Sequence, residues 1–161
     1  MYVKDLWGGL LTAKAHSAGG VVVGAAMNRQ PGLFDNVVFR NAFIDLYASS
    51  LNRRLPLTEH EWEEYGNPVT EVEDEKRIRF FCPLWNMGKA QSNYPNALIT
   101  GTLDDANVPY WNATLLARAL PTSINHVLLN IEQSGGHNLT GTKTLQVSAM
   151  EAAFILRNSY E

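Results

Sequence analysis

Residues 10–27, LLTAKAHSAGGVVVGAAM, decide the fold. A short apolar run breaks into small residues and resumes as a second apolar run, the local pattern of a strand, a sharp turn and a helix. Two consecutive glycines, Gly19 and Gly20, open the helix. Ser17 stands at the turn, where an exposed hydroxyl is a candidate nucleophile.

Outward from this stretch, three more short apolar segments end in turn residues, at 37–40, 97–100 and 126–131. With 10–15 they make four expected strands. Helical spacing covers about 18–28, 109–120 and 144–158, the last with Leu145, Ser148, Ala149, Ala152, Ile155 and Leu156 on one face. Strands that alternate with helices imply a parallel sheet covered on both faces. Residues 45–90, rich in Glu, Pro and aromatics, separate the second strand from the third, and short helices are expected there around 59–65 and 73–81.

At 161 residues the chain is long enough for one domain with a real core. Its 45% hydrophobic and 18% charged content is that of an ordinary globular protein. A net charge of −3 argues against nucleic acid as a partner, because phosphate binding needs a surplus of Lys and Arg. The one basic cluster, KRIR at 76–79, follows EVEDE at 71–75 and reads as a charge-paired, solvated surface. Cys82 is the only cysteine, so no internal disulfide forms and a reducing, cytoplasmic setting is expected. The first 15 residues carry a lysine and an apolar stretch, but Asp5 and Gly8-Gly9 spoil the pattern of a signal peptide. No apolar run approaches a membrane span. The sequons at Asn112 and Asn138 are read as chance.

A nucleophilic serine on a strained strand-to-helix turn needs small neighbours two residues away on each side, the G-x-S-x-G pattern of α/β-hydrolases. Ala15-His16-Ser17-Ala18-Gly19 fits it with alanine in the first place, although such a turn also occurs for purely structural reasons. In that fold the serine precedes the acid and the acid precedes the histidine, each in a loop after a later strand. GTLDDANV at 101–108 follows the third expected strand, and EQSGGHNL at 132–139 follows the fourth. His137, in a loop bracketed by glycines, is the candidate general base. His16 adjoins the nucleophile, His60 sits in a charged helix and His126 starts a strand, so these fit less well. Asp104 and Asp105 both stand where the acid is needed, and spacing does not choose between them. No His or Cys pair has the spacing of a zinc site, and the glycines at 19–20 lack the partners of a phosphate loop or dinucleotide fingerprint. Neither a metal nor a cofactor is expected.

From about Leu11 to Leu156 the sequence resembles the C-terminal part of the catalytic domain of the prolyl oligopeptidase family, nearest its oligopeptidase B (protease II) branch and prolyl-endopeptidase-like members. The resemblance rests on SAGGVVVGAAMN (17–28), LPLTEHEWEEYGNP (55–68), YPNALITG (94–101), LDDANVPYW (103–111) and the SGGH loop (134–137). It implies a partial α/β-hydrolase fold of about four parallel strands with flanking helices. By the same resemblance Ser17 is the nucleophile, His137 the base, and Asp105, three residues before Val108, the acid. The Ala18 N–H would donate to the oxyanion. Glu61 and Glu63 match an E-x-E pair that holds a basic side chain before the cleaved bond. The sequence departs from the family at Asn107, where arginine is usual, and in the SGGHNL loop.

The implied activity is serine-type hydrolysis of short peptides after Arg or Lys through an acyl-enzyme on Ser17. An inactive fragment or non-catalytic remnant is the alternative, and an esterase a minor one. Residues 1–161 then correspond to a C-terminal portion of the catalytic domain, with the family's earlier strands and β-propeller absent. A short peptide is the expected substrate, and the N-terminal part of the same protein the expected partner. Because the family's tyrosine oxyanion donor lies in that part, the isolated 161 residues are expected to show little or no peptidase activity.

Overall fold

Strand β1 (Thr12–His16) runs into helix α1 (Gly19–Arg29) through the turn at Ser17, as the opening stretch of sequence predicts. The computed structural model describes residue 6 and residues 8–89, 94–121 and 126–159. Strands β2 (Asn36–Arg40), β3 (Asn96–Thr102) and β4 (Val127–Glu132) follow, and the four pair in parallel in the order β1-β2-β3-β4. The fold class expected from the sequence is the one observed. Of the leader-like stretch at the N-terminus, residues 1–5 and 7 lie outside the described residues.

Alternation along the strands divides the core between the two faces of the sheet. Ala15, Val37, Phe39, Ala97 and Ile99 share one cluster with Met27 of α1 and with Leu116 of helix α6 (Trp111–Ala119). Val38 and Leu98 point the other way and meet Phe154 of helix α7 (Gly141–Arg157). Because both faces are covered, β2 and β3 are nearly continuous apolar runs, which is the sequence pattern of inner parallel strands. Val37, Val38 and Phe39 are fully buried. At roughly 1.5 to 3 kcal/mol per buried side chain, these short strands carry much of the hydrophobic stabilisation.

β1 also joins α7 through charge. Glu151 of α7 is 2% exposed, and its carboxylate receives Arg40 Nε at 2.7 Å and Arg40 Nη2 at 2.7 Å, with Lys14 Nζ as a third partner. Lys14 and Arg40 come from neighbouring strands, so one buried carboxylate ties both to the helix that covers them.

The segment between β2 and β3 is helical, as its length and composition suggest. It contains α2 (Leu46–Leu51), α3 (Thr58–Tyr65), α4 (Val72–Phe81) and α5 (Pro83–Asn86). These helices close over a second cluster of Val21, Phe43, Leu46, Ile78, Cys82 and Val108, against which Tyr65 packs. The charged run in α4 is paired along its exposed side, Lys76 with Glu73, Arg77 with Asp74 and Arg79 with Glu75. Asn112 is buried, and its side-chain oxygen accepts the N–H groups of Ile44 and Asp45 at 3.0 and 2.9 Å. That sequon is therefore an internal bracket.

Candidate active site

Ser17 has φ 54°, a left-handed conformation that a non-glycine residue adopts at a cost of about 1 to 3 kcal/mol. The surroundings hold it there. Its carbonyl accepts the N–H of Phe43 at 2.8 Å and of Gly20 at 2.9 Å, and its own N–H reaches Arg40 O at 3.4 Å. The sharp turn lifts the side chain clear of the strand.

The need for small residues falls differently from the G-x-S-x-G expectation. A Cβ at Gly19 would meet only Ala15 Cβ, at 3.9 Å, which is ordinary contact. At Gly20 a Cβ would lie 2.5 Å from Phe43 O and 2.9 Å from Phe43 N. Gly20 is therefore the glycine that the elbow requires, because it lets α1 pass directly over the chain leaving β2.

His137 lies 120 positions from Ser17 in the chain, yet its Nε2 is 2.8 Å from Ser17 Oγ. Its Nδ1 is 2.8 Å from Asp105 Oδ2. A carboxylate can only accept, so Nδ1 carries the proton and Nε2 is left to accept from the serine hydroxyl. Asp105 is itself fixed, since its Oδ1 accepts the N–H groups of Asn107 at 2.8 Å and Val108 at 2.9 Å. The Asp105 side chain is fully buried and that of His137 is 12% exposed. Limited water access strengthens such charge-assisted bonds.

Asp104, the alternative acid in the sequence, takes a different place. Its carboxylate accepts the N–H groups of Gly136 at 2.9 Å and Gly135 at 3.1 Å. Those two bonds hold its carboxyl below the usual carboxylate range. The two adjacent aspartates therefore grip one loop, Asp105 by the ring and Asp104 by the backbone. Gly135 and Gly136 have φ of 143° and 65°, which explains glycine at both positions.

Ala18 is exposed, and among the described residues its N–H has no hydrogen-bond partner at the start of α1. His16 is exposed at the end of β1, with its ring 4.9 Å from that of His137 and its Nε2 3.3 Å from His137 O. The sequence pattern singles out neither this histidine nor Asn41, which also meets the loop. Asn41 is 3% exposed and sends its amide Nδ2 to the carbonyls of Gly136 at 3.2 Å and His137 at 3.0 Å. Its φ of 42° is left-handed, a conformation that asparagine tolerates better than most residues.

Glu61 and Glu63 both lie on α3. Two residues apart on a helix means about 200° of rotation, so the two carboxylates do not face one another. Glu61 is half-buried and Glu63 exposed. Burial, and then the negative charge of Glu64, push the Glu61 carboxyl up. The helix ends in Tyr65, whose hydroxyl is pushed up to about 12 by burial and by Glu64. Tyr65 packs against the cluster that contains Val21 and Phe43, both close in sequence to the elbow and its anchor. Among the described residues no group of three His, Cys, Asp or Glu side chains could hold a metal ion, and no helix is long and apolar enough to cross a membrane.

A serine, a histidine and an aspartate in relay on a parallel α/β sheet define a hydrolase of the α/β type in architecture. The sequence profile of the prolyl oligopeptidase family matches residues 11–160, and the chain belongs to that family of serine peptidases. A prolyl endopeptidase-like protein of Xenopus laevis is 33% identical over 158 residues, which is 88% of this chain and 22% of that protein. Protease 2 of Moraxella lacunata is 33% identical over 132 residues, 79% of this chain and 18% of the relative. Oligopeptidase B from Trypanosoma brucei, solved in its closed form with covalently bound antipain, superposes with a TM-score of 0.84 at 33% identity, covering 93% of this chain and 21% of that one. Oligopeptidase B from Leishmania major also superposes with a TM-score of 0.84, at 29% identity. The chain spans about a fifth of the length of these relatives.

Proposed function

We propose that this chain carries the nucleophile, base and acid of a serine-type oligopeptidase that cleaves short peptides after Arg or Lys. The observation that carries the reading is the unbroken relay from Ser17 Oγ through His137 to Asp105, with both links at 2.8 Å. In the reaction, Ser17 Oγ attacks the peptide carbonyl carbon while its proton passes to His137 Nε2, and Asp105 stabilises the imidazolium that results. The oxyanion receives the Ala18 N–H, a donor of a kind worth about 3 to 4 kcal/mol. His137 then gives its proton to the leaving amine, and an acyl-enzyme remains on Ser17. Water, deprotonated by the same histidine, releases the acid product and restores the hydroxyl.

Specificity for a basic residue rests on Glu61 and Glu63, whose charge suits a guanidinium or ammonium. The substrate is a short peptide, the setting is cytoplasmic, and the partner is the N-terminal part of the same protein, which completes the catalytic domain. Hydrolysis, by the chain joined to its N-terminal part, of fluorogenic peptides that differ only in Arg, Lys or Gln before the scissile bond tests this. Preference for Arg and Lys, lost in Ser17→Ala, is expected; equal cleavage of all three would remove the basic specificity, and activity that survives Ser17→Ala would remove the mechanism.

A further inference from the structure

We propose that Asn41 is a positioning residue for the candidate base, and that residues 40–43 are the common fixture that sets the distance between Ser17 and His137. The proposal rests on the catalytic reading of those two residues. The elbow hangs on this segment at two points, Ser17 N–H on Arg40 O and Phe43 N–H on Ser17 O. The histidine loop hangs on it through Asn41, whose Nδ2 meets the carbonyls of Gly136 and His137. Asn41 is itself tied to β3, by its N–H to Thr100 O at 2.9 Å and by its side chain to Thr102 Oγ1 at 3.3 Å. The two loop carbonyls can only accept, so the amide hydrogens of Asn41 face the loop.

Other side chains also hold that loop, but at its exposed rim. Asp104 takes the N–H groups of Gly135 and Gly136, and Lys143 Nζ reaches Ser134 Oγ at 2.7 Å. Thr144 Oγ1 donates to Leu139 O at 2.6 Å. His16 contacts His137 O from the solvent side. Asn41 alone among these is buried, and it grips the carbonyl of His137 itself. A buried amide that loses neither donor nor geometry to water is a more rigid tether than an exposed ion. Displacing the ring by about 1 Å can cost a reaction of this kind about a hundredfold in rate.

Two variants of the full chain separate a positioning role from a merely structural one. Asn41→Gly keeps the left-handed backbone accessible and removes the amide. Asn41→Asp keeps the shape and turns an acceptor toward two carbonyls. Each is compared with wild type and with Lys143→Ala for the rate at which a fluorophosphonate modifies Ser17, for the ¹⁵N and ¹H resonances of the His137 ring, and for the urea unfolding midpoint. The expected result is a rate about ten to a hundred times lower in the Asn41 variants, with displaced His137 ring signals, in chains that still unfold cooperatively. Lys143→Ala should stay within about twofold of wild type. Rates within twofold of wild type and unmoved His137 signals in a folded Asn41 variant would overturn the proposal. If wild type itself is not modified, the catalytic reading fails, and the His137 resonances alone then decide: moved signals support the tether and unmoved signals remove it.

Discussion

Asp104 and Asp105 are adjacent in sequence, yet they hold the histidine loop by different atoms: Asp105 takes the His137 ring, and Asp104 takes the N–H groups of Gly135 and Gly136. The two substitutions should therefore differ in kind. Asp105→Asn leaves the shape but favours the wrong tautomer, and should lower Ser17 modification by about 10⁴-fold. Asp104→Asn leaves the ring bonded to Asp105 and should cost about tenfold or less, as loosening of the loop. Second-order rates with a fluorophosphonate measure both.

Asp104 also gives the loop a pH dependence. Its folded carboxyl is held below the usual range by the two N–H groups, so its contribution is present above the unfolded pKa and is lost as pH falls through the folded one. Hydrogen exchange at Gly135 and Gly136 should remain protected in mildly acidic buffer and open only in strong acid. Asp104→Asn should flatten that dependence.

The elbow gives a sharp contrast between neighbouring glycines. Gly20→Ala forces a methyl to 2.5 Å from Phe43 O and should destabilise by about 1 to 3 kcal/mol or more. Gly19→Ala meets only Ala15 and should be nearly neutral in urea unfolding. The opposite order would mean that α1 does not cross residues 42–43 as closely as described.

At Glu151, removal of the carboxylate leaves Arg40, whose side chain is 17% exposed, without an opposite charge and with only Ser148 Oγ still accepting from it. Glu151→Ala should cost about 3 kcal/mol by urea unfolding, because an uncompensated, mostly buried charge remains. Glu151→Gln should recover part of that through a hydrogen bond to Arg40.

For specificity, in the chain joined to its N-terminal part, Glu61→Gln and Glu63→Gln are each expected to reduce cleavage after Arg more than after Gln, by about tenfold for each charge-assisted hydrogen bond removed. The Glu61 carboxyl is pushed up, so it gains a proton at a higher pH than an ordinary glutamate. Preference for Arg should therefore decline as acidity rises. Single variants matter here, because α3 turns the two side chains apart.

Much of this arrangement is written locally. The four strands are legible because β2 and β3 are buried on both faces and read as unbroken apolar runs, while small residues mark every turn. β1 begins at Thr12, two residues later than its apolar pattern suggests, because Leu11 is engaged with Asp35, its N–H on the carboxylate and its carbonyl on the Asp35 N–H. Short α2 and α5 escape notice, since six and four residues are too few for a helical period to show. Ser17 and His137 are found by chain order and turn chemistry, whereas the choice of Asp105 over Asp104 needed the resemblance. Asn41 and Glu151 leave no pattern, because their roles are set by partners about 60 to 111 residues away.

The most direct test of the account is whether His137 activates Ser17. The 161-residue chain is treated with a fluorophosphonate, the modified residue is located by peptide mass spectrometry, and the rate is compared with that of His137→Ala. Modification at Ser17, falling by about 10³-fold or more without the histidine, is the predicted result. Modification that is equally fast in His137→Ala, or that falls on another serine, would contradict it.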